Sequence, residues 1–340
     1  MRTEISYSGQ NYALPREFLR ELTELQPTRG IREVCWLWVQ IACLWGAGRI
    51  LLKSEWVWVG IVPFSFLIAG RLGAFLQLIH EASHYMLFPD RAVNRNVAKW
   101  LLGLPIGVFY EGYASGHRRH HAHTNTIKDP LSDREKYRIT NIRDPKLLLL
   151  FVKDLLGWTA LSIFFDYKST EDKGSSEEAP SKLKSLTQLC LVQTVILLLA
   201  FQGDLRAYIL LWIFPAISPH MFLMRIRGIA EHGLSQQLGH EIHVPSEGTF
   251  YTRSFLTPRH HYRFLPAIWL EKYFIGSYSV HFHHEHHLFP TVPFYHLKQL
   301  HERISPQVEA TNPDVYADGY VAAALRNLSF PPRKLEAAPA

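Results

Sequence analysis

Four apolar runs constrain this chain more than any other feature: Val34–Leu52, Trp56–Ile79, Leu183–Phe201 and Leu205–Met224. Each has roughly the 20 residues a helix needs to cross a hydrocarbon layer about 30 Å thick. Averaged over its 340 residues the chain is 47% hydrophobic and 19% charged. That blend conceals how sharply apolar runs alternate with polar, histidine-rich loops, a pattern that predicts an all-α integral membrane protein with four transmembrane helices. Lys53-Ser54-Glu55 and Gln202-Gly203-Asp204 leave room only for tight turns, so the spans pair as two hairpins. Pro215 and Pro219 are expected to kink the fourth span. The tryptophans opening the second sit where an interfacial belt would place them. Arg71 is the single charge in that second span and is expected to face the protein interior or to snorkel.

The second span runs into His80-Glu81-Ala82-Ser83-His84, an i, i+4 pair that can hold one metal from one helix face. Two further clusters repeat a different pattern. His117, His120 and His121 stand at i, i+3, i+4, and so do His283, His286 and His287. On a helix those positions share a face, so each triple is expected to converge on one point. Buried imidazoles need partners and clustered ones repel when protonated, so an ordinary core has little use for such density. His232, just past the fourth span, stands alone in the sequence. Counting it gives nine imidazoles, too many for one ion with its roughly four to six ligands and about right for two. A donor set without cysteine argues against structural zinc. Two irons that bind and reduce O₂ fit it, each keeping a position open for oxygen.

Glu81, Glu231 and Glu285 each adjoin a proposed ligand. They read either as carboxylates that hold imidazole N–H groups or as ordinary polar contacts at the rim. His123 falls off the common face of its cluster. His240, His243, His260, His261, His296 and His301 have no ligand spacing and read as loop or surface residues.

Ligands for one centre must meet on one side of the bilayer. Two spans precede the first cluster, none separates it from the second, and a hairpin separates the second from His232 and the third. A crossing by Leu147–Phe165 would make that count odd. This run, broken by Lys153, Asp154 and Gly157, is therefore expected to lie on the membrane surface. Val97–Phe109 is too short to cross and reads as interfacial or re-entrant. Arg91, Arg95, Lys99, Arg118, Arg119 and Lys128 place the histidine side in the cytoplasm. The same bias explains the formal charge of +6 without a nucleic-acid partner.

The expected organisation is a single domain over 1–340. It has a cytoplasmic arm (1–33), a first hairpin (34–79), a cytoplasmic loop with the first two clusters (80–182), a second hairpin (183–224) and a cytoplasmic C-terminal region with His232 and the third cluster (225–340). Residues 128–146, with Asp129-Pro130 and Asp144-Pro145, read as loop, and the tail beyond 303 carries no legible signal. Cys35, Cys43 and Cys190 lie in apolar runs and read as inert packing residues. The N-terminus shows no apolar core of a cleavable signal.

At its clusters the sequence resembles the membrane fatty acid desaturase family. The marks are His80-x3-His84, His117-x2-His120-His121 and His283-x2-His286-His287. Their context agrees: Arg119-His120-His121-Ala122-His123-Thr124-Asn125 with Asp129-Pro130, and Glu285-His286-His287-Leu288-Phe289-Pro290 with Val292-Pro293. The resemblance covers about residues 56–303. It implies an oxidoreductase of lipid metabolism with a non-haem di-iron centre. It also implies O₂, a fatty acyl lipid or acyl thioester as substrate, and electrons from a ferredoxin- or cytochrome b5-type donor. An isolated histidine before the last cluster is a ligand in the family, which makes His232 one here. In the acyl-CoA branch an asparagine four residues before that histidine contacts a metal through water; Gly228 stands there in this chain. The third cluster opens with His283 rather than glutamine, unlike front-end desaturases with a fused cytochrome b5, and no haem-binding segment is visible, so the donor is expected to be a separate protein.

A hydroxylase or ketolase on the same scaffold is the alternative reaction, since one di-iron oxidant can take a second hydrogen or return oxygen. A membrane metal-transport protein is the alternative from another class. It would want polar groups through the spans, which read as nearly bare of them.

Overall fold

The computed structural model describes residues 2–7, 10–124, 129–130, 142–165, 182–232, 257–258, 265–311 and 316–328. Four helical stretches in it are long and apolar enough to cross a membrane: Arg16–Leu51, Val57–Ser83, Lys182–Leu199 and Leu205–His232. They fall where the four apolar runs placed them, with shifted ends.

The N-terminal arm has more structure than its mixed polar sequence suggested. Strands β1 (Arg2–Tyr7) and β2 (Gln10–Pro15) pair antiparallel, Arg2 opposite Pro15, and lead into α1 (Arg16–Leu22). Helix α2 (Pro27–Leu51) starts several residues before the apolar run, at a proline whose missing N–H costs nothing in a first turn. Helix α3 (Val57–Ser83) packs along it and delivers His80 at its last turn. Asp90 caps the short α4 (Arg91–Asn96) by accepting from Val93 N at 2.7 Å. A π-helical turn (Val97–Gly103) follows, and the chain re-emerges as α5 (Tyr110–His123).

The run 147–165 is two helices, α6 (Pro145–Leu155) and α7 (Trp158–Phe165). They are bent by 78° at a break that contains Gly157, with φ of 75°. At 1.5 Å per residue these pieces rise only about 16 and 12 Å, so neither crosses by itself. Arg225 forms a buried ion pair with Asp154, and Ser218 Oγ donates to Leu155 O at 2.6 Å. Both contacts fasten the bent pair to the fourth long stretch.

Helix α8 (Lys182–Leu199) is the third long stretch. The fourth is broken into α9 (Leu205–Tyr208), a π-helical turn (Ile209–Ile213), α10 (Phe214–Ile217) and α11 (Pro219–His232). Both prolines expected to disturb it sit at such breaks. Beyond come α12 (Leu265–Phe274), α13 (His283–Leu288), α14 (Leu297–Thr311) and α15 (Tyr320–Leu328). Strand β3 (Thr257–Pro258) pairs parallel with β4 (Tyr316–Ala317). The tail, illegible in the sequence, thus joins the body. Helix α15 packs on α11, where Asn327 Nδ2 donates to Ile229 O at 2.6 Å.

Trp38, Trp45, Phe75 and Trp212 fill the space between α2, α3 and the fourth stretch. Ring centroids lie 5.2 Å apart for Trp38–Phe75 and 4.9 Å for Trp45–Trp212, both edge-on. Gly48 permits this approach, since a Cβ there would stand 2.6 Å from Leu211 Cδ2 and 2.9 Å from Phe64. Two sequence expectations need correction. Cys35, Cys43 and Cys190 are exposed on outer helix faces rather than packed inside. The long helices are also less bare than they read, because His220 is buried within the fourth, whereas Arg71 faces the interior as expected of it.

Candidate metal centre

The histidines arrive on four elements. His80 lies in the last turn of α3 and His84 is its C-cap residue; α5 carries His117, His120 and His121. His232 is the last residue of α11, and α13 carries the third cluster. All nine expected ligands come together. Nitrogens of His80, His84, His117, His121 and His286 lie within 4.8 Å of one another; those of His120, His232 and His287 form a second such group. His283 joins through His232, with Nε2 atoms 2.9 Å apart, and shares a third group with Glu231.

The triples do not each converge on one point, as their shared face led us to expect. Each splits. His117 and His121 go to the first group while His120 goes to the second; His283 and His287 lie in the second region while His286 goes to the first. The helical rotation gives the reason. Residues four apart differ by about 40° around the axis, whereas neighbours such as His120 and His121 differ by about 100°. An i, i+4 pair can therefore join one group, and the adjacent residue turns to another.

The donor set fits metal ions on geometry. Nε2 of His117 lies 2.9 Å from that of His84 and 3.0 Å from that of His121, which is 3.1 Å from Nε2 of His286. The three contacts along this row cannot all be hydrogen bonds, since each Nε2 offers either one N–H or one lone pair and the two middle nitrogens make two contacts each. A cation at about 2.0–2.1 Å from each would set adjacent ligands about 3 Å apart. Both ring nitrogens of His80 and Nε2 of His120 are buried without a hydrogen-bond partner. Burial, followed by the neighbouring charges, pushes His84 down to about 4. Burial and then adjacent imidazoles push His117, His121, His283, His286 and His287 well below the usual range. At neutral pH these rings are the uncharged bases that metal ligation requires.

Carboxylates stand behind three of the imidazoles, and one of them makes a hydrogen bond to its ring. His120 Nδ1 donates to both oxygens of buried Asp129 at 3.0 Å, which leaves its Nε2 lone pair facing the cluster. Asp129 was read as a loop residue; its position nine residues past His120 was the available signal. Glu81 Oε1 lies 3.6 Å from His80 Nδ1, and the same carboxylate accepts from Phe294 N at 3.0 Å. Glu231 lies 3.8 Å from His283 Nδ1, accepts from Arg227 Nε at 2.9 Å and from Tyr320 Oη at 3.1 Å. Glu285 turns away from the expected ligands. It accepts from His301 Nδ1 at 2.5 Å and Tyr316 Oη at 3.0 Å. Burial alone would raise the Glu285 carboxyl, but the His301 bond and charge outweigh it and hold the group below its ordinary value. His301, expected at the surface, is this carboxylate's clamp. His123 joins none of the groups among the described residues, and His240, His243, His260 and His261 lie outside them.

Compared with known proteins, the chain matches the family model described as fatty acid desaturase over residues 56–317. That stretch contains all nine histidines and Asp129. No curated protein matches the chain.

Proposed function

The chain belongs to the fatty acid desaturase family, and from that premise we propose that it is an O₂-dependent desaturase that introduces a double bond into a fatty acyl chain. The observation that carries this reading is the gathering of nine imidazoles into adjoining metal-sized groups, five in one, three in a second, and His283 joined to the second through His232. His80, His84, His117, His121 and His286 would hold one iron; His120, His232, His283 and His287 would hold the other. When bound, such a pair supplies the oxidising power to break an unactivated C–H bond, which no side-chain acid or base can do. The balance is two hydrogens from the acyl chain, two electrons and two protons from outside, and one O₂ reduced to two waters. A separate ferredoxin- or cytochrome b5-type protein would deliver the electrons.

The chain's own residues set the conditions. Burial of His80, His120, His283, His286 and His287 keeps bulk water from the reacting region. Asp129 fixes the tautomer and direction of His120. The long apolar helices supply a hydrocarbon environment in which an acyl chain is held, and its placement decides which carbon reacts. We place the four long helices as two membrane hairpins of one domain, with the histidine groups on the cytoplasmic face. The short links 52–56 and 200–204 and the exposed Arg91, Arg118 and Arg119 support this arrangement.

Expression in a host of known lipid composition, followed by mass spectrometry of the acyl pool, tests the proposal. Acyl species lighter by two hydrogens are expected, and they should vanish with His120→Ala or His287→Ala. Products gaining one oxygen would show a hydroxylase instead. Products that persist in both variants would end the reading.

A further inference from the structure

Arg71 lies in the middle of α3, buried, at a depth where an arginine is costly. No carboxylate pairs with it among the described residues. Its guanidinium instead ties three segments together. Nη1 donates to Gln40 Oε1 on α2 at 3.2 Å, and Nη2 donates to Tyr273 O and, at 3.4 Å, to Ser277 Oγ. The group also stacks 3.7 Å over the Tyr273 ring. Tyr273 is the penultimate residue of α12, so its carbonyl is one of those a helix end leaves without an internal donor. The negative end of the α12 dipole thus replaces a carboxylate as the partner of the charge. Small residues on α3 permit the approach: a Cβ on Gly70 would stand 3.0 Å from both Tyr273 O and the Tyr273 ring.

What hangs from this junction is the third histidine cluster. Between Ser277 and His283 the backbone passes through two consecutive left-handed residues that are not glycine, Tyr278 (φ 52°) and Ser279 (φ 57°). Such a conformation persists only where the surroundings over-determine it. Arg71 holds the segment from one side, and Tyr278 Oη donating to Glu33 O at 3.4 Å holds it from another. Along the same rigid helix, His80 lies nine residues, or about 14 Å, beyond Arg71. One helix therefore presents its own ligands and fixes the root of the segment that must bring the others to them.

We propose that Arg71 is a positioning residue for the metal centre. By clamping the C-terminal end of α12 against α3, it sets the segment 275–282 so that His283, His286 and His287 reach their groups. The proposal rests on the two-ion reading above. The third cluster gives one of five imidazoles to the first group but two of four to the second, so loss of the clamp empties the second site first.

Anaerobic Co(II) titration of the purified full chain tests this through stoichiometry and the d–d absorption spectrum, without turnover. Wild type is expected to bind two equivalents; a single equivalent there would count against the two-ion reading, not against the clamp. Arg71→Met is expected to fall toward one equivalent, losing the second-site bands while keeping those of the first. Arg71→Lys is expected to lie between, since one ammonium cannot match a planar fork that bridges Gln40, Tyr273 and Ser277. If Arg71→Met does not survive extraction, Arg71→Lys carries the test alone. Two equivalents with an unaltered spectrum in whichever variant is measured overturns the proposal.

Discussion

At the scale of single residues, the gathering histidines were legible because imidazole is an unusual thing to accumulate and because helix periodicity is simple. The eight histidines named from spacing, and His232 named from the family resemblance, are the nine that gather. The division of each triple between two groups was not legible, since i, i+3 and i+4 positions lie on one face only in an averaged sense. Nor was the support behind the ligands. Asp129 reaches His120 from a segment that reads as polar loop, and Tyr320 reaches Glu231 from a tail with no pattern at all. Contacts of that kind depend on where the chain returns in space, which no local period encodes. Asp129→Asn keeps the shape of the side chain and removes its charge, and it should weaken metal binding by about 10- to 100-fold. Competition titration with a metal indicator measures this, and an unchanged affinity would show that Asp129 does not orient His120.

At the scale of elements, the apolar runs located the four long helices, while the shorter pieces needed the structure. The run 147–165 was expected as one surface helix and is a bent pair. Gly157 supplies the positive-φ turn, and Asp154, which looked like a break in an apolar run, is the buried anchor for Arg225. Removing one partner of such a pair leaves a buried charge uncompensated and costs about 3–5 kcal/mol, whereas replacing both with apolar residues is often near neutral. Asp154→Ala should therefore lower thermal stability in detergent sharply, and Asp154→Leu with Arg225→Met should recover most of it. Equal loss in the single and double variants would mean that the pair does not act as a lock between α6 and α11. Arg71 follows the same logic with a helix end in place of a carboxylate. A charge that appears as an interruption in an apolar run is, at both places, the contact that joins one helix to another.

At the scale of the whole molecule, the requirement is one of sidedness. We propose that the four long helices cross and the bent pair does not, which would put every histidine group on one face. That parity argument needed only the sequence, and the meeting of histidines from distant segments supports it. Single cysteines introduced at Lys146 and Lys298, with the three native cysteines replaced, should react with a membrane-impermeant reagent from the same side. Cysteines at Lys53 and Gln202 should react from the other; all four positions are exposed. Opposite labelling of Lys146 and Lys298 would break the arrangement. The account stands most directly on the number of irons the protein holds. Chain purified anaerobically from iron-replete cells, assayed for iron against protein by mass spectrometry, should carry two iron atoms per polypeptide. A fully loaded preparation with one iron per polypeptide would contradict it.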